Sequence, residues 1–458
     1  MTSASDHILA AEAEEYPLIQ NRKNGDTFAW HKGKAVSTDE FLRDVYALAS
    51  RLPANQYAFN LCEDRYWFLV SFAALLINRQ TSLLPPNSAI HVISEIAVGY
   101  PEAFCICDTH QHELRLPVHH IDNISSDNAH KPGIPPLIPA RHLAAIAFTS
   151  GSTGIPCPNP KYWKDLVTGA RMKQKRFGFG EGDKQQSIVA TVPPQHMYGL
   201  ETTILNTLIN GVSVYTDKTF FPLDICNALN TVTEPRILIT TPVHMKSCVH
   251  SEIDWPKIDF IVSATAPLDK SLANLAESRF NCPVLEIYGC TETGSLASRR
   301  TVTDDSWLLY QGTRLKQKAV GYYAAGPNLP NDILLQDIVK PVDSRNFVLL
   351  GRNSDMINIA GKRSSLADLN IRLNRIDGVD DGVFIAPDPG DKTVTKLTAL
   401  VVAPSLNPDE IRKKLALMVD PVFLPRPLIL LDKLPRNETG KLPRTALLEI
   451  LDNLRNDN

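Results

Sequence analysis

The first third of the chain alternates amphipathic segments with apolar runs. Residues 38–52 carry apolar side chains at helical spacing behind Thr38, the expected N-cap. The run 56–61 is typical of a strand, and the almost wholly apolar run 66–77 of a buried helix. A strand followed by a helix favours a parallel sheet covered by helices.

The same pattern continues from residue 187 to residue 290. Five strand-like runs, including the one before residue 150, end in small or polar residues: FTSGSTG, VPPQHMYG, TTPVHM, SATAPL and YGCTETG. Ligands of open α/β sheets collect beyond the carboxyl ends of the strands. We therefore expect these segments to converge on one crevice.

The pattern changes after residue 340. Residues 347–363 hold two short strand-like halves around a polar break, and alternating helix-like and strand-like runs follow. The sequence therefore predicts an α/β fold with two domains. Residues 1–352 form a large domain of parallel and mixed sheets covered by helices, and residues 353–458 form a small α+β domain.

Composition narrows the functional classes. With 458 residues, 43% hydrophobic and 21% charged, the chain is typical of a globular protein with a sizeable core. A net charge of −3 gives no field that favours nucleic acid or an anionic membrane. The eight cysteines lack zinc-site spacing and are expected to be reduced and mostly buried. The acidic start is unlike a signal peptide and no apolar run is long enough for a bilayer, so we expect a cytoplasmic protein without a membrane span.

One loop is rich in glycine and hydroxyl groups: Thr149, Ser150, Gly151, Ser152, Thr153 and Gly154. Such loops bring backbone N–H groups and hydroxyls around a phosphate, usually with a lysine close by. Here the first lysine is Lys161, which follows the sequence CPNP. The loop has neither the Walker motif nor the dinucleotide fingerprint, so on its own it is equally compatible with an ordinary turn.

Three further motifs carry candidate chemistry. In YGCTET, residues 288–293, a threonine hydroxyl beside a carboxylate suits a phosphate and its Mg²⁺; the alternative is a strand-end turn in which Thr291 or Thr293 caps a helix. Asp337 closes LLQD, where its carboxylate suits a ribose diol or is simply a solvated loop group. Lys441 follows a Thr-Gly turn, where it can deliver a point charge to a reacting group or belongs to a basic surface turn.

Together these motifs resemble one family. In order and spacing, FTSGSTGIP, SATAPL, YGCTET, LLQD, GRNSDMINIAGKR and LPRNETGKLPR are similar to the adenylate-forming superfamily of acyl- and aryl-CoA synthetases, peptide-synthetase adenylation domains, luciferases and acyl-carrier-protein ligases. The resemblance covers roughly residues 140–445. Residues 64–87 and the compact length are most similar to the aryl acid AMP-ligases of aryl-polyene and xanthomonadin-type pigment clusters.

The resemblance implies a site for ATP and Mg²⁺. The hydroxyl-rich loop would close on the β- and γ-phosphates, Thr291 would contact the α-phosphate, and Glu292 would bind Mg²⁺. The family lysine normally follows the proline of the loop, where this chain has Cys157; Lys161 is the expected substitute, with CPNP bulging the loop. The other implied nucleotide contacts are Ala264, Thr265, Tyr288, Gly289 and the ribose-binding pair Asp337 and Arg352.

The resemblance also implies a reaction in two halves. A carboxylate attacks the α-phosphorus of ATP and expels pyrophosphate, with Lys441 bridging carboxylate and ATP. The C-terminal domain, which is mobile in the family, then rotates about a hinge at Ser354 and Asp355. This rotation withdraws Lys441 and admits a thiol, which takes the acyl group as a thioester. A serine departs from the aspartate or lysine that the family commonly has at the hinge.

The implied acid pocket is lined by His196 and Tyr198 of PPQHMYG, His244 of TTPVHM, and Ala264. His196 would lie next to the reacting carboxylate, and Tyr198 would pack on an aromatic ring or hydrogen-bond to it. Bulky polar side chains favour a hydroxybenzoate or hydroxycinnamate over a long fatty acid. The alternative for each of these residues is a purely structural role.

Two thiols compete as acceptor. We expect an acyl carrier protein ahead of free CoA, in pigment or polyketide-type biosynthesis, because basic side chains would meet an acidic carrier. The candidates for this basic face are Lys362, Arg363, Arg372, Arg375, Lys413 and Lys414. The alternative for each is an ordinary solvated position.

Two other functional classes stay open. A hydrolase or thiol-dependent transferase would use Cys157 or Cys290, although the sequence has no GxSxG elbow and no activating histidine pattern. A protein that binds nucleotide without catalysis would explain the displaced loop lysine and the hinge serine. Lys441 and Glu292 argue against it.

Overall fold

The computed structural model describes residues 14–23, 25–109, 115–121, 135–150, 156–352, 356–359, 362–386, 397–437 and 440–456. The chain packs into two compact units. The first is Met1–Arg314 with Ala324–Ile333, and the second is Leu315–Tyr323 with Leu334–Asn458. The functional division predicted between residues 352 and 353 is a different boundary, and it stays a prediction.

The described strands follow in chain order. They are β1 (Glu15–Pro17), β2 (Thr27–His31), β3 (Lys34–Ser37), β4 (Tyr57–Asn60), β5 (Thr81–Leu84), β6 (Phe104–Cys107), β7 (Val118–His120), β8 (Leu137–Pro139), β9 (Leu143–Ser150), β10 (Pro156–Tyr162), β11 (Ser187–Ala190), β12 (Ser213–Tyr215), β13 (Arg236–Thr240), β14 (Phe260–Ser263), β15 (Val284–Cys290), β16 (Gly294–Arg299), β17 (Trp307–Leu309), β18 (Arg314–Lys318), β19 (Gly321–Ala325), β20 (Ile333–Leu334), β21 (Asp337–Pro341), β22 (Asn346–Arg352), β23 (Met356–Ile359), β24 (Lys362–Ser365), β25 (Asp381–Ile385), β26 (Thr398–Val402) and β27 (Leu428–Leu430).

The described helices are fewer. They are α1 (Thr38–Ala49), α2 (Arg65–Ile77), α3 (Ile90–Ala97), α4 (Trp163–Phe177), α5 (Met197–Gly199), α6 (Leu205–Ile209), α7 (Pro222–Thr231), α8 (Pro242–Val249), α9 (Lys270–Phe280), α10 (Leu366–Asn374), α11 (Pro408–Ala416) and α12 (Arg444–Asn456). A π-helical stretch, Leu200–Ile204, joins α5 to α6, and Pro421–Phe423 forms a 3₁₀ turn.

The first unit contains two large sheets. One has the order β10-β9-β5-β4-β6-β7, in which β10 is an antiparallel edge strand and the other strands pair in parallel. In the other, nine strands of this unit run in the order β17-β16-β15-β14-β13-β11-β12-β2-β3. Its strands from β15 to β2 are parallel. The predicted strand and buried helix near residues 56–77 are confirmed as β4 and α2, and β4 pairs in parallel with β5.

The first helix begins one residue earlier than the sequence analysis placed it. The N-cap is Ser37, whose hydroxyl accepts from the backbone N–H of Glu40, while the Glu40 carboxylate accepts from the backbone N–H of Ser37. Thr38, the predicted cap, is the first helical residue. A serine with a glutamate three positions later forms a capping box, which satisfies two backbone donors instead of one.

The second unit is the predicted small α+β assembly. Strands β22 and β23 are the two halves around the polar break, and β25, β26 and β27 form a three-stranded sheet. Its main core packs α10 and α11 against this sheet, with Leu373, Val401 and Ile411 fully buried. Among the residues that the structure describes, no helix is both long and apolar enough to cross a membrane.

Candidate active site

Four of the five predicted segments lie at the carboxyl ends of neighbouring strands in the second sheet. Strands β11, β13, β14 and β15 are parallel neighbours, so their carboxyl ends face the same way. VPPQHMYG, TTPVHM, SATAPL and YGCTETG occupy these ends, as the alternation predicted. The fifth segment follows β9 of the first sheet, where Thr149 and Ser150 pair with β10. Gly151, Ser152, Thr153 and Gly154 lie outside the described residues.

YGCTET forms a tight β-hairpin. Thr291, Glu292 and Thr293 make the turn between β15 and β16, with Glu292 exposed at its tip and Thr293 buried. A strand follows the turn, so the alternative of a threonine that caps a helix is wrong. A side chain on Gly289 would stand 2.3 Å from the carbonyl oxygen of Gly294, because the two strands approach closely there.

The sequence CPNP, residues 157–160, forms part of a regular strand, which corrects the expected bulge before Lys161. Residues 156–161 pair with β9 in continuous register, and the irregularity falls later, between Lys161 and Tyr162. Prolines at 156, 158 and 160 fit because β10 is an edge strand. A proline has no N–H to donate to a neighbouring strand. An inner strand has a neighbour on each side, whereas an edge strand has one side on which no donor is needed.

Lys161 reaches the YGCTET turn from this strand. Its side chain is buried, with 8% of the residue exposed, and its Nζ donates to the carbonyl oxygen of Glu292 over 2.9 Å. Burial lowers the pKa of Lys161, while the nearby acidic groups of Glu201, Cys290 and Glu292 act in the opposite direction. The Lys161 side chain therefore contacts the turn proposed for phosphate and Mg²⁺, although four strand positions separate Lys161 from Cys157.

A buried ion pair behind this turn escaped the sequence analysis. Glu201 lies in the π-helical stretch, and one carboxylate oxygen is 3.3 Å from the Nζ of Lys173 in α4. Its other oxygen accepts from the backbone N–H of Ser295 over 3.0 Å and from the Ser295 hydroxyl. Glu201 thus connects the helix after PPQHMYG to the first residues of β16. The signal available in the sequence was a single acid in the otherwise uncharged helical run 199–209.

The segment PPQHMYG is anchored by Tyr198. The Tyr198 hydroxyl faces the backbone carbonyl oxygens of Thr240 at 3.2 Å and Val262 at 2.9 Å, the ends of β13 and β14. Burial raises the pKa of Tyr198 well above its ordinary value, so the phenol keeps its proton. That proton faces the protein backbone, and the expected hydrogen bond between Tyr198 and an aromatic substrate stays a prediction. The half-buried ring stays a candidate contact, as does half-buried His196 directly before α5.

His244 is held at the start of α8. Its Nδ1 is 2.9 Å from the hydroxyl of Thr241, the N-cap of that helix, and its ring meets Phe220 edge-on with 5.1 Å between centroids. Burial lowers the pKa of His244, which favours the neutral imidazole. His244 therefore presents a neutral, fixed ring at the end of β13.

The SATAPL segment combines burial with backbone strain. Ala264 is buried directly after β14, and Thr265 has a φ of 80°. A branched residue in this left-handed region costs about 1–3 kcal/mol and persists only where the surroundings require it. Half-exposed Tyr288 of the neighbouring strand packs on Trp307 at a centroid distance of 5.6 Å.

The second unit carries the remaining predicted residues. Asp337 and Arg352 are directly opposite each other in the β21–β22 hairpin. Lys441 is exposed, and its loop is closed by two hydrogen bonds between Lys441 and Asn437. Ser354 and Asp355 lie outside the described residues.

The Lys441 loop has a firm anchor. Both guanidinium nitrogens of Arg436 that face Asp381 donate to its carboxylate over 2.6 Å, and a third donates to the carbonyl oxygen of Gly440 over 2.5 Å. Bidentate pairs of this kind are strong and directional. The turn that carries Lys441 is thereby fixed to β25.

Comparison with known proteins gives consistent matches. The family model described as AMP-binding enzyme matches residues 69–333. A 2-succinylbenzoate–CoA ligase of Listeria monocytogenes is 21% identical over 453 residues, 91% of this chain and 95% of the relative. A 3,4-dihydroxybenzoate–aryl-carrier-protein ligase of Bacillus anthracis is 22% identical over 329 residues, 67% of this chain and 74% of the relative.

A solved structure confirms the fold. The o-succinylbenzoate CoA synthetase of Bacillus subtilis, in complex with its acyl-adenylate intermediate, superposes with a TM-score of 0.80 at 18% identity, covering 95% of this chain and 98% of that one. The expected fold class, a large sheet-and-helix unit with a small α+β unit, is therefore confirmed. The chain belongs to the family of AMP-binding enzymes, which also confirms the predicted class of an ATP-dependent, AMP-forming ligase that works with Mg²⁺.

Proposed function

We propose that this protein converts an aryl carboxylic acid, of hydroxybenzoate or hydroxycinnamate type, to its acyl-AMP. It then passes the acyl group to the phosphopantetheine thiol of an acyl carrier protein, in pigment or polyketide-type biosynthesis in the cytoplasm. The observation that carries the first half is the contact of buried Lys161 with the carbonyl of Glu292, at the edge where four parallel strands end.

In the first half-reaction, a carboxylate oxygen of the acid bonds to the α-phosphorus of ATP and the bond to pyrophosphate breaks. Lys161 would supply positive charge beside the turn, and the Thr291 hydroxyl would contact the α-phosphate. Charge fixed in a partly dry site stabilises a developing anion better than charge in water does. Glu292, exposed at the tip, is the residue that would hold Mg²⁺, and the ion supplies further neutralisation of phosphate charge.

The resemblance assigns further roles to residues of the second unit. Asp337 and Arg352 share one rung of the β21–β22 hairpin, which suits joint binding of the two ribose hydroxyls. Lys441 would bridge the acid and ATP during adenylation, and its rigid Arg436–Asp381 anchor supports precise placement. Ser354 and Asp355 would form the hinge about which this part of the chain moves before the thiol enters.

The preference for an aryl acid rests on the relatives and on the acid segment. Relatives include ligases of 2-succinylbenzoate, 3,4-dihydroxybenzoate and 4-coumarate, all of them aryl acids. The rings of His196, Tyr198 and His244 offer bulky walls at neighbouring strand ends, beside buried Ala264. Hydrogen bonds fix the Tyr198 and His244 side chains, which favours a short aryl acid over a long fatty acid.

The acceptor is proposed on weaker structural ground. Of the six basic residues expected to meet a carrier protein, Arg372 donates to Asp368 and to the carbonyl of Met418, and Lys414 donates to the carbonyl of Asp377. These two side chains also contact their own unit, and the basic face stays a proposal. The carrier-protein proposal therefore rests on the aryl-carrier-protein relative and on the pigment-ligase resemblance, and free CoA is the alternative.

The test has two stages. Acid-dependent exchange between ATP and labelled pyrophosphate, measured over a panel of benzoates, cinnamates and fatty acids, should be strongest with a hydroxylated aryl acid. Mass spectrometry of holo-carrier protein and of CoA, each offered with the best acid, then identifies the acceptor. Exchange only with fatty acids would refute the aryl proposal, and thioester formation only on CoA would refute the carrier proposal.

A further inference from the structure

A cluster of one histidine and two aspartates lies outside the candidate active site. His31 ends β2, Asp64 is the N-cap of α2, and Asp217 follows β12. The Nδ1 of His31 and one carboxylate oxygen of each aspartate all lie within 4.8 Å of one another. We propose that this cluster binds a divalent transition-metal ion of the zinc class.

The distances between the ligand atoms suit such an ion. The Nδ1 of His31 is 3.7 Å from Oδ1 of Asp64 and 3.8 Å from Oδ1 of Asp217. Ligands about 2.1 Å from a tetrahedral ion stand about 3.4 Å apart, so a small contraction brings all three into coordination. Imidazole with carboxylates is a ligand set that zinc accepts, whereas Mg²⁺ prefers oxygen alone.

Neighbouring groups already orient the three ligands. The backbone N–H of Tyr66 donates to Oδ1 of Asp64 over 2.8 Å, and that of Lys32 donates to Oδ1 of Asp217 over 2.9 Å. The imidazole of His31 stacks on the Tyr66 ring with 4.6 Å between centroids. Fixed carboxylates and a fixed ring are what outer contacts supply in metal sites.

The hydroxyl of Thr216 lies on the side of His31 that the ion would occupy. The Thr216 hydroxyl oxygen lies 3.0 Å from the Nδ1 of His31, and the hydroxyl donates its own proton to the carbonyl of Trp30. In the metal-free protein the Nδ1 proton therefore points at Thr216. An ion that takes the place of that proton, which moves to Nε2, would push the Thr216 hydroxyl aside, and a water would supply the fourth ligand.

Charge and position give the site a role. Two carboxylates around one neutral imidazole concentrate negative charge at partly exposed side chains, 24% and 31% exposed, which a divalent cation neutralises. Directly after Asp64, buried Arg65 donates to the carbonyl oxygens of Ala190 and Val192 at the end of β11. An ion would thus join β2, α2 and β12 beside the strand that leads into PPQHMYG.

The test is direct metal binding by the whole chain after chelator treatment. Titration with Zn²⁺ in a calorimeter and with Co²⁺ by visible absorption should show one ion per chain. His31→Gln, Asp64→Asn and Asp217→Asn should each weaken binding by about tenfold or more. Asparagine keeps the N-cap at position 64, so that variant loses the charge without losing the helix start. His91→Gln, in the exposed part of α3, is the matched control and should bind as wild type does.

Fluorescence locates the ion. The Trp67 ring lies 6.3 Å from that of His31, so bound Co²⁺ should quench part of the tryptophan emission. Trp67→Phe should remove this quenching and leave Co²⁺ binding intact. The proposal is overturned if wild type binds neither ion, or if the three ligand variants, with wild-type circular dichroism, bind as tightly as wild type.

Discussion

The Glu201→Gln substitution tests how much the buried ion pair between Lys173 and Glu201 contributes to the unfolding free energy of the first unit. Lys173 and Glu201 expose only 1% and 5% of their side chains, and the Nζ of Lys173 has no aligned hydrogen-bond acceptor among the described residues. Glutamine can still accept from Ser295 through its oxygen, but its NH₂ group then faces the ammonium. The substitution therefore leaves a buried charge without its counter-charge.

The expected loss is large. Removing one partner of a buried pair costs about 3–5 kcal/mol of unfolding free energy, whereas replacing both by neutral groups is often nearly neutral. Glu201→Gln and Lys173→Met should each show a loss of that size. The double variant should lose far less than their sum, which corresponds to a coupling of about 2 kcal/mol or more.

Urea unfolding followed by tryptophan fluorescence measures this cycle. Trp163 is fully buried at the start of the same helix as Lys173, so its emission reports on that region. Lys175→Met, an exposed position of the same helix, is the control and should change stability by less than about 0.5 kcal/mol. Losses that simply add in the double variant would refute the reasoning, because each side chain would then act alone.

Three further predictions concern the chemistry. Lys441→Ala should lower ATP–pyrophosphate exchange by about 100-fold or more and leave thioester formation from synthetic acyl-AMP largely intact; equal losses in both assays would contradict its assigned role. Lys161→Met should lower exchange by about tenfold, which corresponds to the loss of one charge-assisted hydrogen bond. A loss as large as that of Lys441→Ala would contradict the assignment of Lys161 as a supporting charge. Because burial raises the pKa of the Cys290 thiol to about 11, while Cys157 is exposed, iodoacetamide at neutral pH should label Cys157 first, as peptide mass spectrometry would show. Cys157→Ser should keep full exchange activity. Loss of activity in this variant would instead favour a thiol-dependent transferase or hydrolase.

Much of the fold could be predicted because local patterns determine it. Apolar runs with polar ends identified β11, β13, β14 and β15, and parallel pairing then required their ends to share an edge. The Glu201–Ser295 contact joins residues 94 positions apart, and the one local signal, a single acid in an uncharged helical run, does not identify its partners. The error at CPNP had a different cause: three prolines suggest a loop, yet alternate prolines are compatible with an edge strand.

The alternate prolines of β10 also hinder edge-to-edge association between copies of this protein. The outer edge of β10 would otherwise offer a row of unpaired backbone groups on which a strand of another molecule could add. Pro156, Pro158 and Pro160 occupy every second position, so the donors that such an intruding strand would need are missing from the exposed side. The same spacing leaves Cys157, Asn159 and Lys161 to pair with β9. Lys161 thus belongs to a strand whose outer side lacks these donors, while its side chain contacts the YGCTET turn.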